Sequence, residues 1–196
     1  MTDEFLCALG ADMPEEERLI VCGFPGDPNA AAPDAWRPRP WRPGMKVGLG
    51  PAANGYVTVG SFGRAQDGSF RRRAETFAAG RALMVDDVGT KVDPAVVSGM
   101  RPSARVLTSP GNEQWWYFLA PPERDAARFD GVIRAFISGR LLGADPGMAG
   151  ISRVGRIPGF INGKAAYGGR FRVELQELNA RRFTVEELLA GFGLEI

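Results

Sequence analysis

The sequence predicts an α+β fold in which helices pack on a mainly antiparallel sheet. Three observations lead to this prediction. Short segments in which apolar and polar residues alternate recur along the chain, as in half-buried strands. Segments with helical spacing occur between them, without the regular strand–helix–strand rhythm of a parallel sheet. The length of 196 residues, with 44% hydrophobic and 24% charged residues, suits one globular domain with appendages.

The first part of the chain divides into a short folded segment and a proline-rich one. Residues 1–24 predict a helix and then a strand containing LIVCGF. Residues 25–55 are rich in Pro, Gly and Ala and carry WRPRPWRPG at 36–44, which favours an extended arm. That arm either packs its tryptophans onto the domain or offers Trp and Arg to bases and phosphates. We therefore assign residues 1–53 to an N-terminal arm and 54–196 to a compact domain.

The compact part mixes strands with short helices. Strands are predicted over 55–62, 81–89, 103–109, 114–120 and 171–178, and helices over 74–80, 93–100, 123–143 and 184–192. Asp93 and Pro94 suit the N-cap and first position of one helix, and Thr184 with Glu187 forms a capping box for another. The aromatic run Trp115–Leu119 is interpreted as core, with a base-stacking platform as the alternative.

Composition excludes several classes of chemistry. The chain contains no histidine, which rules out Ser-His-Asp and Cys-His catalysis and any histidine acid–base step. Cys7 and Cys22 cannot form a zinc site by themselves and are interpreted as two reduced core thiols of a cytoplasmic protein. No apolar run is long enough to cross a membrane. The 21 arginines against 3 lysines indicate either phosphate binding or a GC-rich genome.

Polar residues with catalytic potential lie in three places. Asp86 and Asp87 end an apolar strand, where two carboxylates either form a solvated turn or bind magnesium or manganese. Asp145 precedes a proline and is a turn residue or a further metal ligand. The glycine-rich stretch beyond it carries three cations that predict an anion site: Arg153, Arg156 and Lys164. Arg71–Arg73 forms either a solvated loop or a nucleic-acid contact.

The order of these motifs resembles the RepB-like primase domain of phages and plasmids, within the archaeo-eukaryotic primase (primase–polymerase) superfamily. The resemblance extends from about residue 54 to 178. It rests on VDDVGTK (85–91), TSPGN (108–112) with Gln114, GADP (143–146), Ser152-Arg153 with Arg156, PGF (158–160), Asn162 and Lys164. It implies an RRM-like primase–polymerase core and makes residues 54–196 the catalytic domain.

The resemblance also implies roles for individual residues. Asp86, Asp87 and Asp145 would be the catalytic carboxylates that bind Mg²⁺ or Mn²⁺. The nucleotide would be bound by Ser109, Asn112, Gln114, Arg153, Arg156 and Lys164. Two departures stand out: the family's acidic pair is spaced D-x-D, whereas Asp86 and Asp87 are adjacent, and Gln114 replaces a histidine. Adjacent residues of a strand point to opposite faces, so a bulge or the strand end must turn both carboxylates inward, or only one is a ligand.

The function implied is metal-dependent nucleotidyl transfer in phage or mobile-element replication, in the cytoplasm of the host cell. The partners that the resemblance implies are a single-stranded DNA template and nucleoside triphosphates. It also implies a replicative helicase, because primase domains of this kind often lie beside one and this sequence has no helicase-like P-loop motif. The alternatives are a non-catalytic nucleic-acid-binding replication protein with a degenerate primase fold, and a phage protein that binds a host protein. Either would be indifferent to divalent metals.

Overall fold

The computed structural model describes residues 1–139, 141, 149–179 and 181–196. Among these residues the main sheet has eight strands in the order β10-β5-β6-β4-β3-β1-β2, with β7 also paired to β3. The strands are β1 (Arg18–Phe24), β2 (Arg39–Trp41), β3 (Asn54–Phe62), β4 (Phe77–Val88), β5 (Ala104–Ser109), β6 (Asn112–Glu123), β7 (Val154–Arg156), β8 (Ile161–Asn162), β9 (Phe171–Arg172) and β10 (Glu174–Leu178). The helices are α1 (Thr2–Leu9), α2 (Pro94–Val97), α3 (Ala126–Ser138) and α4 (Val185–Phe192).

The predicted α+β class is confirmed. Every ladder between these strands is antiparallel in the described residues, and β8 and β9 form a separate small hairpin. Helix α3 packs on β4 and β6 through apolar residues at helical spacing, as the sequence predicts. Asp93 caps α2, and the capping box of Thr184 and Glu187 begins α4. Within the described ranges, no helix is long and apolar enough to cross a membrane.

Two predicted elements are wrong in type or extent. Residues 74–80 do not form an α-helix: a single 3-10 turn, Ala74–Thr76, leads directly into β4. The last of these residues, Gly80, serves close packing instead, because a Cβ there would lie 2.4 Å from the Phe129 ring of α3. The strand predicted over 171–178 is two strands, β9 pairing with β8 and β10 with β5, and the chain changes partner at Val173.

The N-terminal segment shares the sheet and core with the rest of the chain. Strand β1 pairs with both β2 and β3, and α1 buries its apolar face. The Phe5 ring meets Trp116 of β6 edge to face, with centroids 5.2 Å apart. The arm packs Trp41 into the core, 2% exposed, and Trp36 against Tyr56. The boundary at residue 53 stays a prediction.

The two cysteines differ in their exposure. Cys22, on β1, is buried, which confirms the prediction of a core thiol there, whereas Cys7, on α1, is exposed, so the same prediction is wrong for Cys7.

Strand β7 is wedged into the sheet beside β3, and this wedge positions the polar residues described below. The last residues of β3, Gly60–Phe62, pair with β4, whereas Tyr56–Thr58 pair with β7. At Gly155 of β7 a Cβ would lie 2.2 Å from the Trp116 ring and 2.6 Å from the Met84 sulfur. Only glycine therefore lets β7 approach the β4–β6 ladder this closely, which is a packing role and not the phosphate approach that glycine-rich sequence alone indicates.

Candidate active site

A β-bulge brings the two adjacent aspartates to one face of the sheet. Val85 pairs with Trp115 and Val88 with Glu113, so Asp86 and Asp87 together lie opposite Gln114. Asp87 has a φ of 57°, in the left-handed region that aspartate tolerates better than most residues. The side chains of Asp86 and Asp87 contact Gln114 and Asn112, which are two residues apart and therefore share a face. The bulge is thus the feature that turns two adjacent carboxylates to one face.

Asp86 is a mostly buried carboxylate with incomplete charge compensation. It accepts hydrogen bonds from the Asp87 backbone N–H at 2.8 Å and from Gln114 Nε2 at 3.2 Å. The nearest guanidinium nitrogen of Arg153 is 3.9 Å away, beyond hydrogen-bond distance. Burial raises the pKa of Asp86 above its ordinary value, the Asp87 charge raises it further, and Arg153 with the two hydrogen bonds does not cancel these effects.

Asp87 is the more exposed member of the pair. Its carboxylate lies 2.6 Å from the Lys91 ammonium and accepts a hydrogen bond from Asn112 Nδ2 at 3.1 Å. Asn112 also accepts a hydrogen bond from the Thr90 hydroxyl at 2.6 Å. The TSPGN turn is thereby tied to the acidic pair, as the sequence order of the motifs suggests.

Gln114 connects the acidic pair to β7. Its Nε2 donates to Asp86, and its Oε1 accepts a hydrogen bond from the Arg156 backbone N–H at 2.8 Å. The side chain is buried at 5% exposure, and both ends of its amide have protein partners. In this arrangement Gln114 orients Asp86 and β7 rather than presenting a free donor to a phosphate.

Arg156 lies at the centre of a buried amide network. Its guanidinium donates to Asn162 Oδ1 at 2.8 Å, to Asn54 Oδ1 at 3.3 Å and to the Ile161 carbonyl at 3.2 Å, and it lies over the Tyr56 ring at 4.8 Å. Burial lowers the pKa of Arg156 below its ordinary value. Its described hydrogen-bond partners are neutral, so its positive charge adds to the potential of the site.

The remaining predicted residues border this cluster. Ser109 ends β5, is 2% exposed and pairs with Asn112 across the turn. Asn162 donates to the Thr108 carbonyl at 2.7 Å and so holds this turn against Arg156. The backbone N–H of Lys164 donates to Asn162 Oδ1 at 3.3 Å, at the start of the β8–β9 connection. Asp145 lies outside the described residues.

The sequence analysis missed residues that the fold brings to the site. Asn54 is 1% exposed and holds Arg156, Gly163 and the carbonyls of Phe24 and Gly26 together. Tyr56 carries a pKa raised by burial and by the charges of Asp27 and Asp86, with Arg156 opposing. Neither Asn54 nor Tyr56 lies in a distinctive local motif. The one sequence signal available is the asparagine that begins the apolar strand β3.

The donor set fits a divalent cation. Two carboxylates turned to one face supply oxygen ligands, and Mg²⁺ is commonly held by one or two carboxylates together with water and substrate phosphate oxygens. Asp86 is mostly buried, the Arg153 guanidinium lies 3.9 Å away and the pKa of Asp86 is raised, so a divalent cation would add positive charge where this carboxylate has little. Among the described residues, no cluster of three or more carboxylate, cysteine or histidine ligands occurs.

Sheet, wedge and acidic bulge together define a primase-type domain, and the comparisons with known proteins agree. Residues 62–189, well over half of the chain, match the RepB DNA-primase N-terminal domain. The chain therefore belongs to the RepB DNA-primase N-terminal domain family, which confirms the resemblance inferred from the motifs. No curated protein sequence matches the chain significantly.

Solved structures show the same fold at low sequence identity. The archaeo-eukaryotic primase domain of the cyanophage S-2L primase–polymerase superposes with a TM-score of 0.64 at 14% identity, covering 97% of this chain and 96% of that one. The primase RepB' gives 0.59 at 22% identity, covering 98% and 62%. The RepB' catalytic domain in complex with initiator DNA gives 0.58 at 22% identity, covering 98% and 93%. These neighbours establish the primase–polymerase fold predicted for the core.

Proposed function

We propose that this chain is the catalytic domain of a DNA primase–polymerase that performs metal-dependent nucleotidyl transfer on a single-stranded DNA template. The observation that carries the proposal is the bulge at Asp86 and Asp87, which turns both carboxylates toward Asn112 and Gln114. Membership of the RepB DNA-primase family and the primase–polymerase fold support it.

Asp86 and Asp87 would hold Mg²⁺ or Mn²⁺, with Asp145 as the third proposed ligand. When bound, the cations would increase the nucleophilicity of the primer 3′-hydroxyl and stabilise the leaving pyrophosphate. Gln114 would orient the Asp86 carboxylate, because it donates to that side chain while its other end is fixed by β7. The amide of Asn112 would hold Asp87 in the same way.

The positive residues would bind and position the incoming triphosphate. Lys164, at the start of the β8–β9 connection, is the direct phosphate contact in this proposal. Arg153 and Arg156 would stabilise phosphate charge from the buried side, where a low dielectric strengthens their effect. Ser109 is assigned to the nucleotide pocket as well, since the TSPGN turn is joined to Asp87 through Asn112.

The proposed partners are nucleoside triphosphates, the single-stranded template and a replicative helicase in the cytoplasm of a phage-infected or plasmid-bearing cell. The RepB' catalytic domain has been solved in complex with initiator DNA, which supports the proposal that this chain also binds DNA.

The test is primer synthesis and primer extension on single-stranded DNA with magnesium and with manganese. Asp86→Asn removes one charge at the site and should reduce the rate by about a hundredfold or more. Asp93→Asn is the matched control, because it removes a charge from an exposed N-cap at which asparagine is equally suitable. Equal activity of wild type and Asp86→Asn would contradict the proposal.

The second candidate is a non-catalytic nucleic-acid-binding protein with the same fold. It is favoured by one observation: both ends of the Gln114 amide are engaged within the protein, where the family pattern has a phosphate-binding histidine. This candidate predicts DNA binding without any product, and without any effect of divalent metal or of Asp86→Asn on affinity.

A further inference from the structure

One face of the β1–β3 pair carries a row of arginine–aromatic stacks. On this face Ile20, Cys22 and Phe62 form a small apolar cluster, against which Trp36 of the arm and Phe70 of the 63–76 loop pack. The guanidinium–centroid distances are 5.0 Å for Arg18–Phe70, 4.7 Å for Arg64–Phe70, 5.8 Å for Arg72–Trp36 and 4.8 Å for Arg156–Tyr56.

The strand register puts these stacks in order. Arg18 pairs with Phe62 at one end of β1, and Cys22 pairs with Tyr56 roughly 13 Å further along, at about 3.3 Å per residue. Trp36 lies against Tyr56, with ring centroids 4.8 Å apart. The row therefore extends from Phe70 through Trp36 to Tyr56, whose partner Arg156 belongs to the candidate active site.

The positive charges of three arginines in this row are not neutralised by a described carboxylate. Arg18 donates to the carbonyls of Glu15 and Glu17, Arg64 to Gly68 and Arg72 to Ser152. In the described part of the chain none of these three forms a salt bridge. Arginines elsewhere differ: Arg101, on the loop before β5, and Arg134, on α3, each contact a carboxylate at 2.7 Å.

The local electrostatics agree with this geometry. The pKa of Arg18 is lowered by burial and then by the neighbouring charges of Arg42 and Arg64, with Glu15 opposing. The pKa of the Cys22 thiol is raised by burial, with Arg72 and Arg39 acting against that effect. The charged neighbours that act on Arg18 and Cys22 are therefore mainly arginines.

We infer that this row is a binding track in which Arg18, Arg64, Phe70, Arg72 and Trp36 contact single-stranded nucleic acid and lead it to the active site, past the buried Tyr56. Uncompensated guanidinium groups contact phosphates, while rings and guanidinium planes stack on bases that only a single strand exposes. The inference rests on the proposed function for the direction of the strand. Trp36, Tyr56 and Arg18 lie outside the matched family region.

The experiment measures, by fluorescence anisotropy across a salt series, the binding of a fluorescein-labelled oligothymidylate of about 16 nucleotides. This length of about 16 nucleotides is the upper end of the site size of a single OB fold. The variant is Arg64→Gln with Arg72→Gln. The matched control is Arg101→Gln with Arg134→Gln, which removes the same charge from residues already paired with carboxylates. Thermal unfolding of both variants checks that each is folded.

We expect the track variant to lower the slope of log Kd against log salt by about 1.4, which is two phosphate contacts on a single strand. If the two contacts vanish at 1 M salt, Kd at 0.1 M rises about 25-fold. The control should bind as wild type does. Trp36→Leu, which keeps an apolar side chain beside Tyr56, should weaken binding by about 5- to 150-fold at all salt concentrations.

An equal slope for the track variant and the control would overturn the inference, and so would binding of duplex DNA as tight as that of the single strand. The proposed function fails separately: wild type would then make no product while the track variant still loses its salt-dependent binding. Conversely, if the protein extends primers fully and its oligonucleotide binding is unaffected by the Arg64 and Arg72 substitutions, the track is contradicted and the proposed function stands.

Discussion

Two carboxylates of this protein, one buried just before β1 and one mostly buried on β4, have pKa values shifted in opposite directions. Glu17, 3% exposed, accepts hydrogen bonds from Arg81 at 2.9 Å, from Arg124 at 2.8 Å and from the Ser61 hydroxyl at 2.5 Å. Burial alone would raise the pKa of Glu17, but these three donors outweigh it and hold the pKa below its ordinary value. At Asp86 burial prevails, and its pKa is raised.

The difference separates a carboxylate that is compensated within the protein, Glu17, from the carboxylate that we propose as a metal ligand, Asp86. Arg81 and Asp86 lie on the same strand, β4, so the fold could place a cation beside either acid. At Glu17 it does so, and the ion pair joins the segment before β1 to the middle of the sheet. At Asp86 the nearest guanidinium of the described residues, that of Arg153, lies 3.9 Å away, beyond hydrogen-bond distance, and we propose that a metal cation binds there.

The largest expected effect concerns the compensated acid. Arg81→Met leaves Glu17 buried with a weaker set of partners and should reduce the free energy of unfolding by about 3–5 kcal/mol. Arg124→Met removes the partner that is 58% exposed and should reduce it by about 1 kcal/mol or less. Urea unfolding at pH 7 measures both. Equal losses would show that Arg81 has no special role.

The next prediction concerns the wedge that supports Asp86. Gly155→Ala places a methyl group against Trp116 and Met84 and should cost about 1–3 kcal/mol in the free energy of unfolding. Because β7 carries the N–H that fixes Gln114, activity should fall as well. Gly99→Ala is the control, since a Cβ there meets no atom within 4 Å. Unchanged stability and activity of Gly155→Ala would contradict the close approach.

Manganese should stabilise the protein through the uncompensated acid. At a concentration ten times its Kd, Mn²⁺ adds about 1.4 kcal/mol to the free energy of unfolding. Asp86→Asn should abolish this gain. Glu17→Gln should lower the stability of the metal-free protein but leave the gain from Mn²⁺ unchanged. Thermal unfolding with Mn²⁺ and with EDTA makes the measurement. A gain of the same size in Asp86→Asn would place the metal elsewhere.

The smallest expected effect is the change in the free energy of unfolding with pH, measured in EDTA. The two acids should give changes of opposite sign. Glu17 stabilises the fold above its ordinary pKa of 4.5, and this contribution is lost as the pH falls through its lowered folded value. Asp86 does the reverse: the folded protein binds its proton more tightly, so stability decreases as the pH rises above 3.8.

At pH 7, Asp86→Asn should therefore be more stable than wild type by about 1 kcal/mol, with the difference shrinking in acid. Glu17→Gln should be less stable than wild type, also with a shrinking difference. If both variants differ from wild type in stability in the same direction, the proposed difference between the two acids is wrong.

Much of the fold could be predicted from local sequence. Alternation identified β3, a short apolar pattern identified β1, and two apolar segments around the PGN turn identified β5 and β6. Capping residues identified the starts of α2 and α4, because all these signals depend on neighbours in the chain. The small residues before Gly80 were misread as a helix. Gly80 instead makes room for the Phe129 ring, a contact across 49 positions that no local sequence period contains.

The sequence by itself determined the α+β class, the family motifs and the chemistry that the absence of histidine excludes, since all three depend on residue identity and order. Tertiary structure decided how two adjacent aspartates share one face, because that requires a bulge paired against Gln114. It also decided which acid is compensated, since Glu17 meets Arg81 only when distant strands pair. Charge compensation depends on distance in space, and sequence spacing does not specify it.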